Sequence, residues 1–139
     1  MNDMINFAQK HILMLSVWLA LFVALIAVEW WNKKNRPQQL SNQTLVELMN
    51  ENKIQLIDIR TSQNFKQGRI LNSKNIPWLG QDESAFTKLQ TKDIVLLCQT
   101  GQQSARLADK LLKNGFNVRI LEGGLNSWQN DNLPITKGR

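Results

Sequence analysis

The sequence is poor in the two residue types that most often build thiol-based catalytic pairs and soft-metal sites. It holds one cysteine, Cys98, and one histidine, His11. A single cysteine excludes an internal disulfide framework and any metal site built on paired cysteines. His11 lies near the amino terminus, outside the segment that is expected to be globular, so hydrolysis by a Cys–His pair is also excluded. We therefore expect neither a metal ion nor another cofactor.

The sequence also lacks a concentration of charge of one sign. The net charge is +6, but residues 38–139 carry 13 Lys and Arg against 9 Asp and Glu, a balance of +4. These charges are dispersed, and no basic run is interleaved with aromatic residues as in nucleic-acid-binding segments. We expect no nucleic-acid partner. The 139 residues, 42% of them hydrophobic, fit one domain with a real core.

Charged residues are absent from a long apolar run near the amino terminus. Residues 12–28 read ILMLSVWLALFVALIAV, and Trp30 and Trp31 follow Glu29. With the two tryptophans, the run approaches the ~20 residues that a helix needs to cross a bilayer. It has no polar stripe, which disfavours an amphipathic surface helix. We predict that residues 1–31 form a transmembrane anchor whose residues 12–31 contact membrane lipid.

Basic residues after the apolar run predict its orientation. Lys33, Lys34 and Arg36 follow at once, and the positive count on the amino side is weaker. This asymmetry predicts a single-pass protein whose carboxy-terminal domain faces the cytoplasm. A cleaved signal peptide is an alternative, but it needs small residues where this chain has Glu29-Trp30-Trp31. A buried core helix is another, and it would need a larger domain around it.

The rest of the chain predicts a linker and one α/β domain. Residues 32–39 (NKKNRPQQ) are polar and basic and predict a short linker, followed by a domain over 40–139. Either Ser41 or a capping box from Thr44 to Glu47 starts the first helix. The patterns predict strands over 54–59, 94–97 and 118–121, an extended piece over 75–77, and helices over 45–50, 61–65, 84–89, 103–113 and 125–129. The last strand–helix–strand unit predicts a parallel pair with a right-handed crossover.

Three predicted strand ends point to one site. Cys98 and Asp58 each stand at the end of a strand, and Gly123-Gly124 follow a third. In open parallel sheets, ligands bind beyond the carboxyl ends of the strands. A thiol there faces loop amides and the positive end of a helix dipole, and both favour thiolate over thiol. The alternatives are an inert buried thiol and a pair of glycines that serve only a turn at positive φ.

Four segments resemble the rhodanese-like domain family in their order and spacing: LIDIR (56–60), FKQGRILNSKNIP (65–77), CQTGQQS (98–104) and EGGLNSW (122–128). The resemblance covers roughly residues 40–135. Together with the apolar run, it makes the chain similar to small membrane-anchored members of this family in proteobacterial inner membranes. It implies a parallel sheet flanked by helices.

The resemblance also implies a chemistry. In such enzymes the cysteine takes a sulfane sulfur from a donor, becomes a persulfide, and passes the sulfur to a thiol or cyanide acceptor. The catalytic residue would be Cys98, at the head of an active-site loop formed by Gln99, Thr100, Gly101, Gln102, Gln103 and Ser104. The partners would be a sulfane-sulfur donor and a thiol acceptor, either of them a protein or a small molecule. Asp58, Arg60 and Arg106 are candidate auxiliary residues, with a turn cap and an ion pair as the structural alternative for the first two.

The loop departs from the family pattern in its charge. Many members carry Arg or Lys in the loop, where the cation attracts an anionic donor such as thiosulfate. Here Gln99, Gln102 and Gln103 fill those places, and Arg106 comes only a turn into the helix. Because glutamine brings no charge, we expect thiosulfate to be a poor donor. A phosphatase loop needs an arginine where this chain has Ser104, which excludes phosphate transfer.

Two functions stay open at this stage. The first is a membrane-tethered sulfurtransferase, or persulfide carrier, that acts through Cys98. The second is a catalytically weak rhodanese-like module that docks protein partners at the membrane. The uncharged loop is the feature that keeps the second alternative open.

Overall fold

A computed structural model describes residues 1–80, 82–89 and 93–138 of the chain. Its contacts divide the chain into two units, Met1–Arg36 and Pro37–Arg139. The first unit holds α1 (Asn2–Lys10) and α2 (Ile12–Lys34). The predicted anchor includes the residues of α1, but no separate helix was predicted there.

Helix α2 contains the whole apolar run and extends beyond it to Lys34. Its 23 residues span about 35 Å at 1.5 Å per residue, and its mean hydropathy reaches 2.5 over 18 residues. By length and composition it can cross a membrane. All of its residues are exposed, so the alternative of a buried core helix finds no support in this chain.

The second unit is built on a five-stranded parallel sheet, as the predicted α/β class requires. The strand order is β1-β5-β4-β2-β3, and every neighbouring pair is parallel. The strands are β1 (Gln38–Leu40), β2 (Ile54–Asp58), β3 (Lys74–Asn75), β4 (Asp93–Leu97) and β5 (Val118–Leu121). The helices are α3 (Asn42–Asn50), α4 (Ser62–Gln67), α5 (Gln102–Lys113) and α6 (Gly124–Asn130), with a 3₁₀ helix at Ser84–Leu89.

The core lies on both faces of this sheet, which explains the continuous apolar run of β4. Ile94, Leu96 and Cys98 belong to the cluster on the α5 face, whereas Val95 and Leu97 belong to the cluster on the other face. A strand covered on both sides needs apolar residues at every position. The second cluster also contains Trp128, which is 4% exposed.

Helix α3 begins at Asn42, three residues before the predicted start at residue 45, because it uses the earlier of the two predicted caps. The Ser41 hydroxyl oxygen accepts a hydrogen bond from the Thr44 backbone N–H at 3.2 Å, so Ser41 is the N-cap. The side chain of Thr44 lies inside the helix and bonds to Ser41 instead of capping. Of the two caps that the sequence allowed, the structure uses the earlier one.

Two predicted segments take a different form. Gln38 and Gln39, at the end of the predicted linker, form the edge strand β1, and the linker's first residues continue α2. Backbone pairing to β5 forms this strand, and of its three side chains only Leu40 is buried. The helix predicted over 84–89 is a 3₁₀ helix preceded by Asp82, whose carboxylate accepts the Ser84 backbone N–H at 2.8 Å. That hydrogen bond lowers the pKa of Asp82.

Candidate functional site

Cys98 lies at the carboxyl end of β4 and is 1% exposed. The chain passes from β4 into α5 through Gly101, whose φ of +94° is in the left-handed region that favours glycine. This turn places the first residues of α5 directly over the thiol. Because Gly101 adopts this conformation, only four residues, 98–101, separate β4 from α5.

The Cys98 sulfur accepts hydrogen bonds from two backbone N–H groups of this turn and of α5. The Gly101 N–H donates to Sγ at 3.0 Å and the Ser104 N–H at 3.5 Å. The Ser104 hydroxyl lies 3.5 Å from Sγ and donates to the Gly101 carbonyl at 3.0 Å. Two N–H dipoles and the amino end of α5 stabilise negative charge on the sulfur without a general base.

Two backbone carbonyl groups of the loop accept hydrogen bonds from backbone N–H groups of α6. The Leu125 N–H donates to the Cys98 carbonyl oxygen at 2.9 Å, and the Asn126 N–H donates to the Gln99 carbonyl oxygen at 3.0 Å. Gly124, at φ +60°, lies against both carbonyls, and a Cβ there would overlap the Cys98 oxygen. The two glycines therefore do more than turn the chain, because Gly124 also allows α6 to approach the loop.

Asp58 and Arg60 form a buried ion pair that reaches the loop. The Arg60 Nη2 lies 2.7 Å from Asp58 Oδ2, and the two side chains are 6% and 0% exposed. The same Nη2 donates to the Gly68 carbonyl at 2.6 Å, and Nη1 donates to the Gln99 side-chain oxygen at 3.2 Å. The Gln99 amide nitrogen in turn donates to the side-chain oxygen of Asn126. The ion pair that the sequence favoured is present, and it also orients the residue after Cys98.

Arg106, the third candidate auxiliary residue, makes no hydrogen bond to Cys98 or to another described residue of the loop. It is exposed on α5 and lines a groove of about 490 Å³ beside the loop, which we call the α5 groove. This groove is lined on the α5 side by Gln103, Arg106, Asp109 and Lys110, and on the other by Ile59, Thr61, Trp78, Leu79 and Gly80. Ile59 and Trp78 also belong to the buried cluster that contains Cys98. The sequence patterns did not predict this groove, because it joins segments far apart in the chain.

The contacts of Asn126 and Leu125 with the loop were also missed from the sequence. The signal available was the segment EGGLNSW, which the resemblance included, but only its two glycines were given a role. Leu125 and Asn126 position the backbone of the loop.

The fold and the loop together define a class of protein: a parallel α/β domain that holds a lone thiol against the amide groups of a strand-to-helix turn. The sequence profile of the Rhodanese-like domain matches residues 41–131. The chain belongs to the rhodanese-like domain family.

Two of the relatives in sequence match nearly the whole chain, and a third matches about half of it. An uncharacterised protein, BU052, of Buchnera aphidicola from Acyrthosiphon pisum is 34% identical over 97% of this chain and 96% of its own length. The uncharacterised protein YibN of Escherichia coli K12 is 24% identical over 100% of both chains. The chloroplastic thiosulfate sulfurtransferase 16 of Arabidopsis thaliana is 29% identical over 56% of this chain and 76% of its own.

Solved structures share the fold of the second unit. A rhodanese-related protein of Thermoplasma volcanium superposes with a TM-score of 0.64 at 26% identity, over 71% of this chain and 97% of its own. A thiosulfate sulfurtransferase of Pseudomonas aeruginosa gives a TM-score of 0.61 at 25% identity, over 74% of this chain and 20% of its own.

Proposed function

We propose that this protein is a membrane-anchored sulfurtransferase that carries sulfane sulfur as a persulfide on Cys98 and passes it to a thiol acceptor. The observation that carries the proposal is the pair of backbone N–H groups, from Gly101 and Ser104, that donate to the Cys98 sulfur at the amino end of α5. The naming of two relatives as thiosulfate sulfurtransferases supports the reaction class.

The reaction balances without an oxidant or a reductant. The Cys98 thiolate attacks the outer sulfur of a donor persulfide, a new S–S bond forms at Cys98, and the donor's own S–S bond breaks. The bonding electron pair leaves with the donor thiolate, which takes a proton from water. The loop amides then face the negative charge of the Cys98 persulfide as they faced that of the thiolate.

The uncharged loop favours a persulfide donor over thiosulfate. Gln99 is bonded to Arg60 and Asn126, so its side chain is already occupied, and it brings no charge to the loop. Arg60 is likewise committed to Asp58 and Gly68. The loop thus offers thiosulfate amide dipoles and no cation. Thiosulfate:cyanide kinetics comparable to those of a basic-loop enzyme would contradict this preference.

The decisive test is the intact mass of the full chain in neutral detergent after incubation with cysteine persulfide or thiosulfate. We expect a gain of one sulfur atom from the persulfide, little from thiosulfate, and none in Cys98→Ser. Loss of the added sulfur to a small thiol, with recovery of the original mass, completes the cycle. A native chain that gains sulfur no faster than the urea-unfolded chain would show that the loop does not activate the thiol.

The second candidate function is a binding module that docks protein partners. It is favoured by the burial of Cys98, which is 1% exposed, and by the three glutamines of the loop. Under this alternative no donor adds sulfur to the chain, and partners captured by the native chain are captured equally by Cys98→Ser.

The proposed anchor is α2, in a bacterial inner membrane, with the second unit in the cytoplasm. The length and composition of α2 support the anchor, and the basic residues at its carboxy-terminal end support the orientation. We expect protease added to intact spheroplasts to spare the second unit and protease added to inside-out vesicles to digest it. The reverse pattern would place the thiol outside the cytoplasm.

A further inference from the structure

The α5 groove is lined by two charged side chains, Arg106 and Asp109, that the fold leaves unpaired among the residues that the structure describes. Arg106 and Asp109 are both exposed on α5, and neither makes an ion pair or a side-chain hydrogen bond with any other residue that the structure describes. Trp78 is 7% exposed, and its indole N–H has no acceptor within the same described part of the chain. That N–H is itself fully buried, so a ligand in the groove would contact the two exposed charges and not the indole nitrogen.

The other charges at the groove are already neutralised. Lys110 lies 2.9 Å from the carboxylate of Glu83, and its ammonium also stands 5.5 Å from the centre of the Trp78 ring. Lys110 therefore ties the segment of Trp78 to α5. What remains for a ligand is one cation, Arg106, and one anion, Asp109, three residues apart and thus on the same side of the helix.

The groove also has a suitable size and an apolar side. Its volume of about 490 Å³ lies within the roughly 300–1,000 Å³ of small-molecule sites. Leu79, which is 87% exposed, presents an apolar side chain to solvent at the edge of the groove. Arg106 comes four residues after the first residue of α5, about 6 Å along the helix axis. A ligand can contact both charges of the groove only if it carries an anionic and a cationic group, which thiosulfate does not.

We propose that the α5 groove binds the acceptor thiol and selects one that carries both a carboxylate and an ammonium group, as an amino-acid or short-peptide thiol does. Arg106 binds the carboxylate and Asp109 binds the ammonium group. This inference rests on the proposed function of Cys98. The acceptor thiolate attacks the outer sulfur of the Cys98 persulfide, the new S–S bond forms on the acceptor, and the electron pair of the broken bond returns to Cys98. The acceptor leaves as a persulfide, with no net oxidation.

Four small thiols separate the two charges. Cysteine carries both groups, N-acetylcysteine carries only the carboxylate, cysteine methyl ester carries only the ammonium group, and N-acetylcysteine amide carries neither. The full chain in neutral detergent is first loaded with sulfur from cysteine persulfide and freed of the donor. The rate of sulfur loss to each thiol is then measured and corrected for the fraction present as thiolate.

We expect cysteine to react about three- to ten-fold faster than the amide, as exposed charge pairs allow, and the difference to shrink at high salt. Arg106→Gln should remove the advantage of the carboxylate and keep that of the ammonium group, and Asp109→Asn should do the reverse. Arg106→Lys and Asp109→Glu should restore part of each preference. Lys113→Gln, which removes an exposed charge from the same helix outside the groove, should change none of the ratios.

Equal corrected rates for the four thiols would overturn this inference, and so would variants that slow all four thiols by one common factor. In both cases the sulfur on Cys98 would still form, and the proposed function would stand. If Cys98 gains no sulfur from any donor, the proposed function itself fails, and the selectivity fails with it.

Discussion

At the scale of single residues, the position of the Cys98 sulfur depends on backbone groups of another element. The residue types at the strand ends were predictable, because a lone cysteine, an aspartate and two glycines all follow apolar strands. The links between them were not. The bond from Arg60 to Gln99 joins residues 39 apart, and that from Gln99 to Asn126 joins residues 27 apart. Polar side chains at such separations leave no periodic signal.

Gly124→Ala tests the contact between α6 and the loop. The new Cβ would overlap the Cys98 carbonyl oxygen at a residue whose φ is +60°, so we expect a loss of about 2–4 kcal/mol in the free energy of unfolding. We also expect at least about a ten-fold slower gain of sulfur by the folded chain, because the loop must move. Equilibrium urea unfolding and timed intact-mass spectra measure the two effects.

Gly115→Ala is the matched control for Gly124→Ala. Gly115 also has a positive φ, +87°, but a Cβ there meets nothing within 4 Å. It should therefore cost only the backbone strain, about 1 kcal/mol or slightly more, and leave the sulfur-gain rate unchanged. Equal rate losses in the two variants would show that the overlap with the loop carbonyls has no role.

Asp58→Asn tests the buried ion pair. The substitution leaves the Arg60 guanidinium buried with one charge unbalanced, so we expect a loss of about 3–5 kcal/mol in the free energy of unfolding. Glu51→Gln, which breaks the exposed pair with Lys53, should cost less than about 1 kcal/mol. A cost for Asp58→Asn no larger than that of Glu51→Gln would mean that the ion pair does not hold the end of β2.

At the scale of elements, the predictable parts were those that bury apolar side chains. Strand β5 has the bounds that its pattern predicted, and α5 begins one residue earlier than predicted. Helix α1 was missed because it buries no side chain, and strand β1 was missed because its three residues bury only Leu40. The 3₁₀ form of Ser84–Leu89 was missed for a related reason, since spacings of three and four residues are hard to separate in six residues.

Ser41→Ala distinguishes the two caps that the sequence allowed for α3. It removes the acceptor of the Thr44 N–H, and we expect a loss of about 1 kcal/mol in the free energy of unfolding. Glu47→Ala removes the side chain that the alternative capping box needs, together with an exposed hydrogen bond from Gln43, so it should cost less than about 0.5 kcal/mol. The opposite order of costs, measured by urea unfolding, would place the start of α3 at the later cap.

At the scale of the whole molecule, the chain is two units with different demands on their surroundings. The second unit buries its apolar residues on both faces of a sheet, whereas α2 exposes all of its own. The composition of the apolar run favours an anchor set apart from the rest of the chain, because the run lacks the periodic polar residues of a surface helix. The identity of the acceptor could not be predicted in the same way, because the α5 groove depends on tertiary contacts.

Replacement of both Leu19 and Phe22 by Arg tests the anchor. Two arginines near the middle of α2 should cost about 5 kcal/mol or more of insertion free energy, so the protein should leave the membrane fraction on alkaline extraction. The same double change at Met4 and Phe7 in α1 is the control and should leave the protein in the membrane fraction. Retention of the α2 variant would contradict the proposal that α2 spans the bilayer.

Strand β1 has a practical consequence for any shortened form of this protein. The family match begins at residue 41, after β1 has ended, so a fragment cut there would keep β4 beside β5 but lose β1 from its other edge. The backbone edge of β5, whose Val118, Ile120 and Leu121 side chains are buried, would then be open to pairing with another copy. A soluble fragment should therefore begin no later than Pro37, so that the three residues of β1 keep that edge closed.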